Sequence, residues 1–379
     1  MTQVFLNNDL FSYLNMSASV SATWHNATGI FASLCLICGA ISNALVIYVF
    51  LRSSSLRQPR NFLLINLAVA DLGLLLTNNI LHAIASFNKQ WPFGKIGCDF
   101  YAFSGGLCAF TSIATMAAIA LTRLVAVVQP FSSLKLTTTV TLKCIACCWL
   151  YGLILMIAPF FGWSRFVFEG FGTSCTFDYV SKDVWNRVFM LILIVVGFSV
   201  PLAIIIVSYA YIVLQLSKRN EHILCRTYRK QKLRLQLNIR PTIYDMMNNH
   251  SLFDEVSRNY SMIPLSTSDH QIVRVISYTE ARVIRTALLI CTTYCMAWTP
   301  YAILTVLSQV GFDHLINAHI TTMFGLLTKT AACVNPFIYA LSSSVFRRHL
   351  FQQSESPRYH VSLSENSSNR RNLLVKINE

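Results

Sequence analysis

One lysine stands alone in a long apolar stretch: Lys329, between Leu315 and Phe346. It lies ten residues before Tyr339, about 15 Å of helix at 1.5 Å per residue. A stretched side chain does not easily snorkel to the interface from that depth. An unpaired ammonium there costs at least about 2.5 to 3.5 kcal/mol on insertion scales. The residue therefore needs a partner, a neutral form or a covalent use. A buried amine is nucleophilic and condenses with an aldehyde to give a Schiff base. A second isolated charge, Asp71, sits in the stretch from Asn61 to Asn88. A carboxylate in that setting is expensive unless it faces a polar, hydrated interior. Pro201, Pro300 and Pro336 each remove a backbone hydrogen bond within an apolar stretch and permit bending there. Such bends suit a hinge-like switch, or simply kinks that fit a bundle.

The elements that position these residues follow from composition. Hydrophobic residues make up 54% of the 379 and charged residues only 12%, against roughly 25% charged in a soluble domain. A bilayer-spanning helix needs about 20 apolar residues. Gly29 to Leu51, Phe100 to Thr122, Cys144 to Trp163, Val188 to Ser217 and Thr286 to Phe312 carry no charge, and the stretches holding Asp71 and Lys329 make seven spans. Of 30 basic residues, 24 fall in alternate loops and the C-terminal tail. The positive-inside rule puts these in the cytosol and the N-terminus outside. The acceptor tripeptides at Asn15 and Asn26 then sit where glycosylation is possible. No cleavable signal peptide is expected, because Met1 to Ile30 lacks a basic region followed by an apolar run. The net charge of +14 fits a basic face toward anionic lipid and cytosolic partners, so a nucleic-acid partner is not required.

Most of the 12 cysteines lie within the spans, where they serve as small packing residues. Only Cys98 and Cys175 fall on the oxidising side, and one bridge between them is the economical expectation. The predicted organisation is an extracellular glycosylated segment 1–28, a membrane bundle 29–342 with a long basic cytosolic third loop at about 218–280, an amphipathic helix 343–352, and a disordered tail 353–379.

The spans also carry a series of motifs. They are Ser42-Asn43-Ala44-Leu45-Val46, Asn66-Leu67-Ala68-Val69-Ala70-Asp71-Leu72, Leu121-Thr122-Arg123, Trp149, Pro201 with Tyr209, Ala297-Trp298-Thr299-Pro300-Tyr301 and Asn335-Pro336-Phe337-Ile338-Tyr339. In this order they resemble the rhodopsin-like class A G-protein-coupled receptors over nearly the whole membrane region. Lys329 precedes Asn335 by six residues, the spacing at which opsins carry retinal. The run Gly162-Trp163-Ser164-Arg165, Glu169-Gly170, Cys175 and Asp178-Tyr179 resembles the opsin extracellular loop. The chain is thus similar to a non-visual or invertebrate, cnidarian-like opsin.

That resemblance implies an all-α, seven-helix receptor with a short eighth helix, and not an enzyme. Retinal, 11-cis in the dark and all-trans after light, would be bound covalently through a protonated Schiff base on Lys329. Vertebrate visual opsins place a glutamate counterion where this chain has Tyr101, so the counterion role passes to Glu169 in the loop. Tyr101, Gly105, Gly106, Ala109, Phe198, Trp298 and Tyr301 would line the pocket. Asp71 would join Asn43 and Asn335 in a polar cluster able to hold water or sodium, or act as a plain helix–helix hydrogen-bond group. Arg123, Tyr209, Glu280, Asn335, Pro336 and Tyr339 would form the cytosolic switch. Its partner would be a heterotrimeric G protein, with arrestin and a receptor kinase for shut-off.

The chain departs from the family at Thr122 and Leu124, where an acid and a tyrosine flank the arginine. Glu280 is then the expected partner of Arg123, and a leakier resting state follows. A distant loop counterion also implies a photoreversible, bistable pigment. The location would be the plasma membrane, multi-pass, with the N-terminus extracellular. Rival readings are a retinal photoisomerase on the same scaffold, a chemoreceptor using a charged Lys329 for an acidic ligand, and a light-independent role of the scaffold.

Overall fold

The computed structural model describes residues 20–128, 136–218 and 267–342. Seven helices run through them: α1 Ala22–Arg52, α2 Pro59–Phe87, α3 Gly94–Val128, α4 Thr138–Ile157, α5 Val184–Lys218, α6 Thr267–Gln309 and α7 Ala318–Ser342. The first six are long and apolar enough to cross a membrane. Between α4 and α5 lies an antiparallel hairpin of β1, Phe166–Glu169, and β2, Ser174–Phe177, in which Phe168 stands opposite Cys175.

Local signals set several helix ends. Pro59 starts α2, where its missing N–H removes no helical bond. Thr137 caps α4 by accepting from Val140 N at 3.3 Å, and Asp183 caps α5 by accepting from Asn186 N at 3.0 Å. Two helices differ in extent from the apolar stretches. α1 opens at Ala22, inside the segment 1–28 expected to precede the bundle, because residues 22–28 continue the helix without a break. α6 opens at Thr267, well inside the expected third loop, so the helix outruns its apolar core at its N-terminal end. Asn15, the short helix at 343–352 and the tail 353–379 lie outside the described residues.

Burial follows the pattern for a lipid solvent. Ile41, Ile154 and Val207 are more than 60% exposed, while Asn43, Asn66, Asp71 and Thr115 are buried. Polar groups without water must be satisfied internally. Asn66 on α2 does this for three helices, donating to Thr115 on α3 at 2.8 Å and accepting from Trp149 on α4 at 2.9 Å. α3 packs between α2 and α4, and α7 closes against α1, α2 and α6.

Two helices carry a π turn, Leu75–Asn79 in α2 and Leu193–Ser199 in α5. Such turns re-aim side chains and recur at functional sites. In α5 the hydroxyl of Tyr151 donates to the Val196 carbonyl at 2.5 Å, occupying an acceptor in the widened turn. The ring of Phe110 fills the space at Gly197, where a Cβ would come within 2.6 Å of it.

Candidate functional site

A cavity of about 1100 Å³, counting the open space at its mouth, lies among α2, α3, α5, α6 and α7 beneath the hairpin. Every pocket residue expected from sequence borders it: Lys329, Glu169, Tyr101, Gly105, Gly106, Ala109, Phe198, Trp298 and Tyr301. Aromatic and aliphatic side chains dominate, and the polar groups are few, as in a site for an apolar ligand with one reactive end. The two glycines contribute differently from a simple clearance. A Cβ at Gly105 would come within 2.5 Å of Asn78 Oδ1, and one at Gly106 within 2.3 Å of Met156 Cε. Their bareness lets α2 and α4 close on α3, which in turn shapes the wall.

Lys329 is 8% exposed, and its ammonium donates to the Tyr101 hydroxyl at 3.0 Å. The residue that replaces a carboxylate on α3 is thus its direct partner. Glu169 enters from the end of β1 and is also buried. Its Oε1 accepts from the Tyr301 hydroxyl at 2.7 Å, and that hydroxyl lies 2.7 Å from Thr176 Oγ1. Burial pushes the Glu169 carboxyl up to about 7, opposed by the Tyr301 hydrogen bond, the Lys329 charge and Tyr179. A buried acid and a buried amine therefore share one cavity, each with its own tyrosine.

The hairpin is fixed from several sides. The Cys98–Cys175 disulfide ties β2 to α3 with a Cα separation of 5.4 Å, as expected. The turn beyond Glu169 uses Gly170 at φ +60° and Gly172 at φ +72°, a region costly for side-chain-bearing residues. Between them Phe171 is fully buried against Trp24, His25 and His319, and its N–H donates to Thr322 Oγ1 at 3.1 Å. Arg165 Nε donates to Asp178 at 2.8 Å beyond the strands.

Below the cavity, Asp71 accepts from Asn335 Nδ2 at 2.8 Å and from Ser112 Oγ at 3.1 Å. Asn43 takes another role: its Nδ2 donates to the Ala332 carbonyl at 2.8 Å. Ala332 is four residues before Pro336, so its carbonyl is the one that proline leaves without a helical donor. α1 thus supplies the hydrogen bond that the α7 kink removes. Tyr294 stacks on Trp298, with centroids 5.6 Å apart and planes 22° apart, and its hydroxyl donates to the Ala109 carbonyl at 3.4 Å.

At the end of the bundle away from the hairpin, Arg123 and the buried Tyr209 interact electrostatically. The Thr122 hydroxyl donates to the Ile119 carbonyl at 2.8 Å, a bond within its own helix. Glu280 and Tyr339 lie on α6 and α7, but their side chains fall outside the described residues. Asn26 is exposed near the start of α1, whereas the Thr28 hydroxyl of its tripeptide is buried and donates to His25 O at 2.9 Å.

Sequence reasoning missed several lining residues: Asn78, His82, Phe110, Thr176, Met190, Tyr294 and Thr322. A signal existed for Asn78 and His82, which follow Leu74 at successive intervals of four and so extend one face of α2. For Thr176 and Thr322 there was none, since only the docking of the hairpin brings them in.

Residues 42–339 match the seven-transmembrane receptors of the rhodopsin family, and the chain belongs to that family. Among its relatives, "Rhodopsin, GQ-coupled" of Mizuhopecten yessoensis is 31% identical over 88% of this chain and 60% of its own length. A melanopsin of Branchiostoma belcheri is 28% identical over 84% of this chain and 41% of its own. The crystal structure of squid rhodopsin superposes with a TM-score of 0.74 at 28% identity, covering 88% of this chain and 86% of that one. The chain thus spans about 60% or less of the length of these two curated relatives.

Proposed function

We propose that this membrane receptor is an opsin. It carries retinal on Lys329, with Glu169 as the counterion, and relays light to a heterotrimeric G protein. The observation that carries the reading is the placement of one buried amine and one buried carboxyl in a single apolar cavity. Rhodopsins and melanopsins among its relatives support the same reading, and the relative named as Gq-coupled supports a G protein of that class.

The residues present fit such a group. A long apolar space bordered by Phe110, Phe198 and Trp298 suits a polyene, and a nucleophilic amine projects into it. When bound, retinal supplies a bond whose geometry light changes. Lys329 holds that group covalently, Tyr101 orients the nitrogen, and Glu169 balances its charge. Trp298, stacked on Tyr294, sits on α6 two residues before Pro300. Displacement of this pair would swing the cytosolic half of α6 about the proline and open a cleft beside Arg123, Tyr209 and Tyr339. Pressure in the cavity also reaches Ala109 through Tyr294, so α3 and α6 respond together.

The same reading places the N-terminus and the glycans on Asn15 and Asn26 outside the plasma membrane. It places the 343–352 helix against lipid and the 353–379 tail in the cytosol, where arrestin and a receptor kinase would act. Glu280 is assigned as the cross-helix partner of Arg123, and Asp71 with Asn335 as the polar cluster. The pigment is assigned as bistable.

The test is spectroscopic. The chain is expressed, 11-cis retinal is added in the dark, and spectra are recorded before and after light. A visible band is expected that Lys329→Ala abolishes; a band surviving that change refutes the attachment. Glu169→Gln should move the band toward the ultraviolet at neutral pH, because the Schiff base loses the charge that favours its protonation. Bleaching to free retinal after one flash would refute bistability.

A further inference from the structure

Cysteines in an apolar helix ordinarily serve as small packing residues. Two of them meet across a helix interface in this bundle. Cys35 on α1 and Cys333 on α7 share a side-chain hydrogen bond. The Cys333 thiol also lies 3.3 Å from the Cys35 carbonyl and 3.5 Å from the Lys329 carbonyl, as a donor to each. This close approach has a cause one turn along α1. A Cβ at Gly39 would come within 3.0 Å of Cys333 Sγ and within 2.6 Å of the Leu75 side chain. The bare glycine lets α7 and α2 close on α1 at this level. Beside the pair, Asn43 donates to the Ala332 carbonyl at 2.8 Å, so a polar bond holds the same joint.

The pair differs from the other thiols that meet among the described residues. Cys144 and Cys148 also share a hydrogen bond, but they stand four residues apart on α4, where side chains leave the helix in the same direction. Bridging requires side chains that face one another, as those of Cys35 and Cys333 do from separate helices. Both are half-buried, so a small uncharged oxidant reaches them from the apolar surround, whereas Cys38 is exposed. The charge of Lys329 also acts on Cys35, and a neighbouring cation is a setting in which a thiol attacks as a nucleophile.

We propose that Cys35 and Cys333 form an oxidisable dithiol, which a peroxide closes to a disulfide joining α1 to α7. The Cys35 sulfur attacks one oxygen of hydrogen peroxide. The oxygen–oxygen bond breaks, and the departing hydroxide takes the thiol proton and leaves as water. Cys35 is then a sulfenic acid. The Cys333 sulfur attacks that sulfur, the sulfur–oxygen bond breaks, and hydroxide leaves with the Cys333 proton as a second water. Two thiols have lost two electrons, and one peroxide has become two waters. A thiol reductant reopens the bridge by exchange. Cys333 stands three residues before Pro336 and four after Lys329. The closed bridge therefore pins to α1 the section of α7 that carries the kink, whether or not Lys329 holds a ligand.

The experiment uses the full-length chain in lipid discs, treated with graded hydrogen peroxide. Free thiols are then alkylated before unfolding, and the digested chain is mapped by mass. The wild type should give a linked peptide pair containing Cys35 and Cys333, lighter by two hydrogens and separated again by dithiothreitol. Cys35→Ser and Cys333→Ser should lose the link, and Cys38→Ser should keep it. The bridge should also raise the thermal midpoint by at least about 2 °C, an increase absent in Cys333→Ser and reversed by the reductant.

No linked pair at peroxide levels that already convert methionine to its sulfoxide overturns the proposal. So does a link that Cys38→Ser removes, which would make Cys38 the partner. A bridge that leaves the thermal midpoint unchanged overturns the pinning of α7. If the Cys35 and Cys333 variants do not fold, the wild-type peptide map decides alone: the linked pair supports the proposal, and its absence overturns it.

Discussion

Replacing Glu169 by Gln should make the ligand-free receptor less sensitive to rising pH. Burial holds this carboxyl at about 7 against an ordinary 4.5. At roughly 1.36 kcal/mol per pH unit, that displacement corresponds to about 3 kcal/mol. The sign follows from linkage. Because the folded state binds the proton more tightly than the unfolded chain, the stabilisation is complete below about pH 4.5. It is lost progressively as pH rises and is gone above about pH 7. Gln keeps an acceptor for Tyr301 and cannot ionise, so its stability should stay flat over the same window. Thermal midpoints of both proteins in one detergent, at about pH 5 and about pH 8, should diverge by on the order of 5 °C, to the variant's advantage at the higher pH. A common heating rate is needed, because large membrane proteins unfold irreversibly. Adding Lys329→Ala to the Glu169 background should widen the gap, since the ammonium is one of the groups opposing the upward displacement. Parallel pH curves for wild type and Glu169→Gln would refute the claim that burial governs this acid.

Two further outcomes follow from the packing. Asn43→Ala should lower stability by about 1 to 3 kcal/mol, because the Ala332 carbonyl freed by Pro336 loses its only side-chain donor among the described residues; an unchanged thermal midpoint would remove α1 from the support of the kink. Gly170→Ala should destabilise the hairpin by about 1 to 3 kcal/mol, given its φ of +60° and a Cβ only 2.2 Å from Thr322 Oγ1. Thr322→Ala should recover part of that loss in the double variant, and strict additivity of the two thermal shifts would refute the contact.

Much of this molecule was legible in one dimension. The seven helices follow from apolar length, because a bilayer leaves the backbone few alternatives, and the Cys98–Cys175 pairing follows from those being the cysteines expected outside the spans on the oxidising side. Lys329 stood out for the same reason: its depth in an apolar stretch makes any purely decorative role expensive. Partnership was less legible. Tyr101 read as the absence of a counterion, and the folded chain makes it the hydrogen-bond acceptor of the lysine. Asn43 read as a neighbour of Asp71, yet its donor goes to the carbonyl that Pro336 frees. His82 passed as one residue of an apolar span until α2, its π turn and the hairpin brought it to the cavity wall. Residue type and spacing determined which groups could not be left in lipid. Which group each of them meets depends on helix rotation and on a loop folded back over the bundle, and those are set by contacts between segments far apart in the chain.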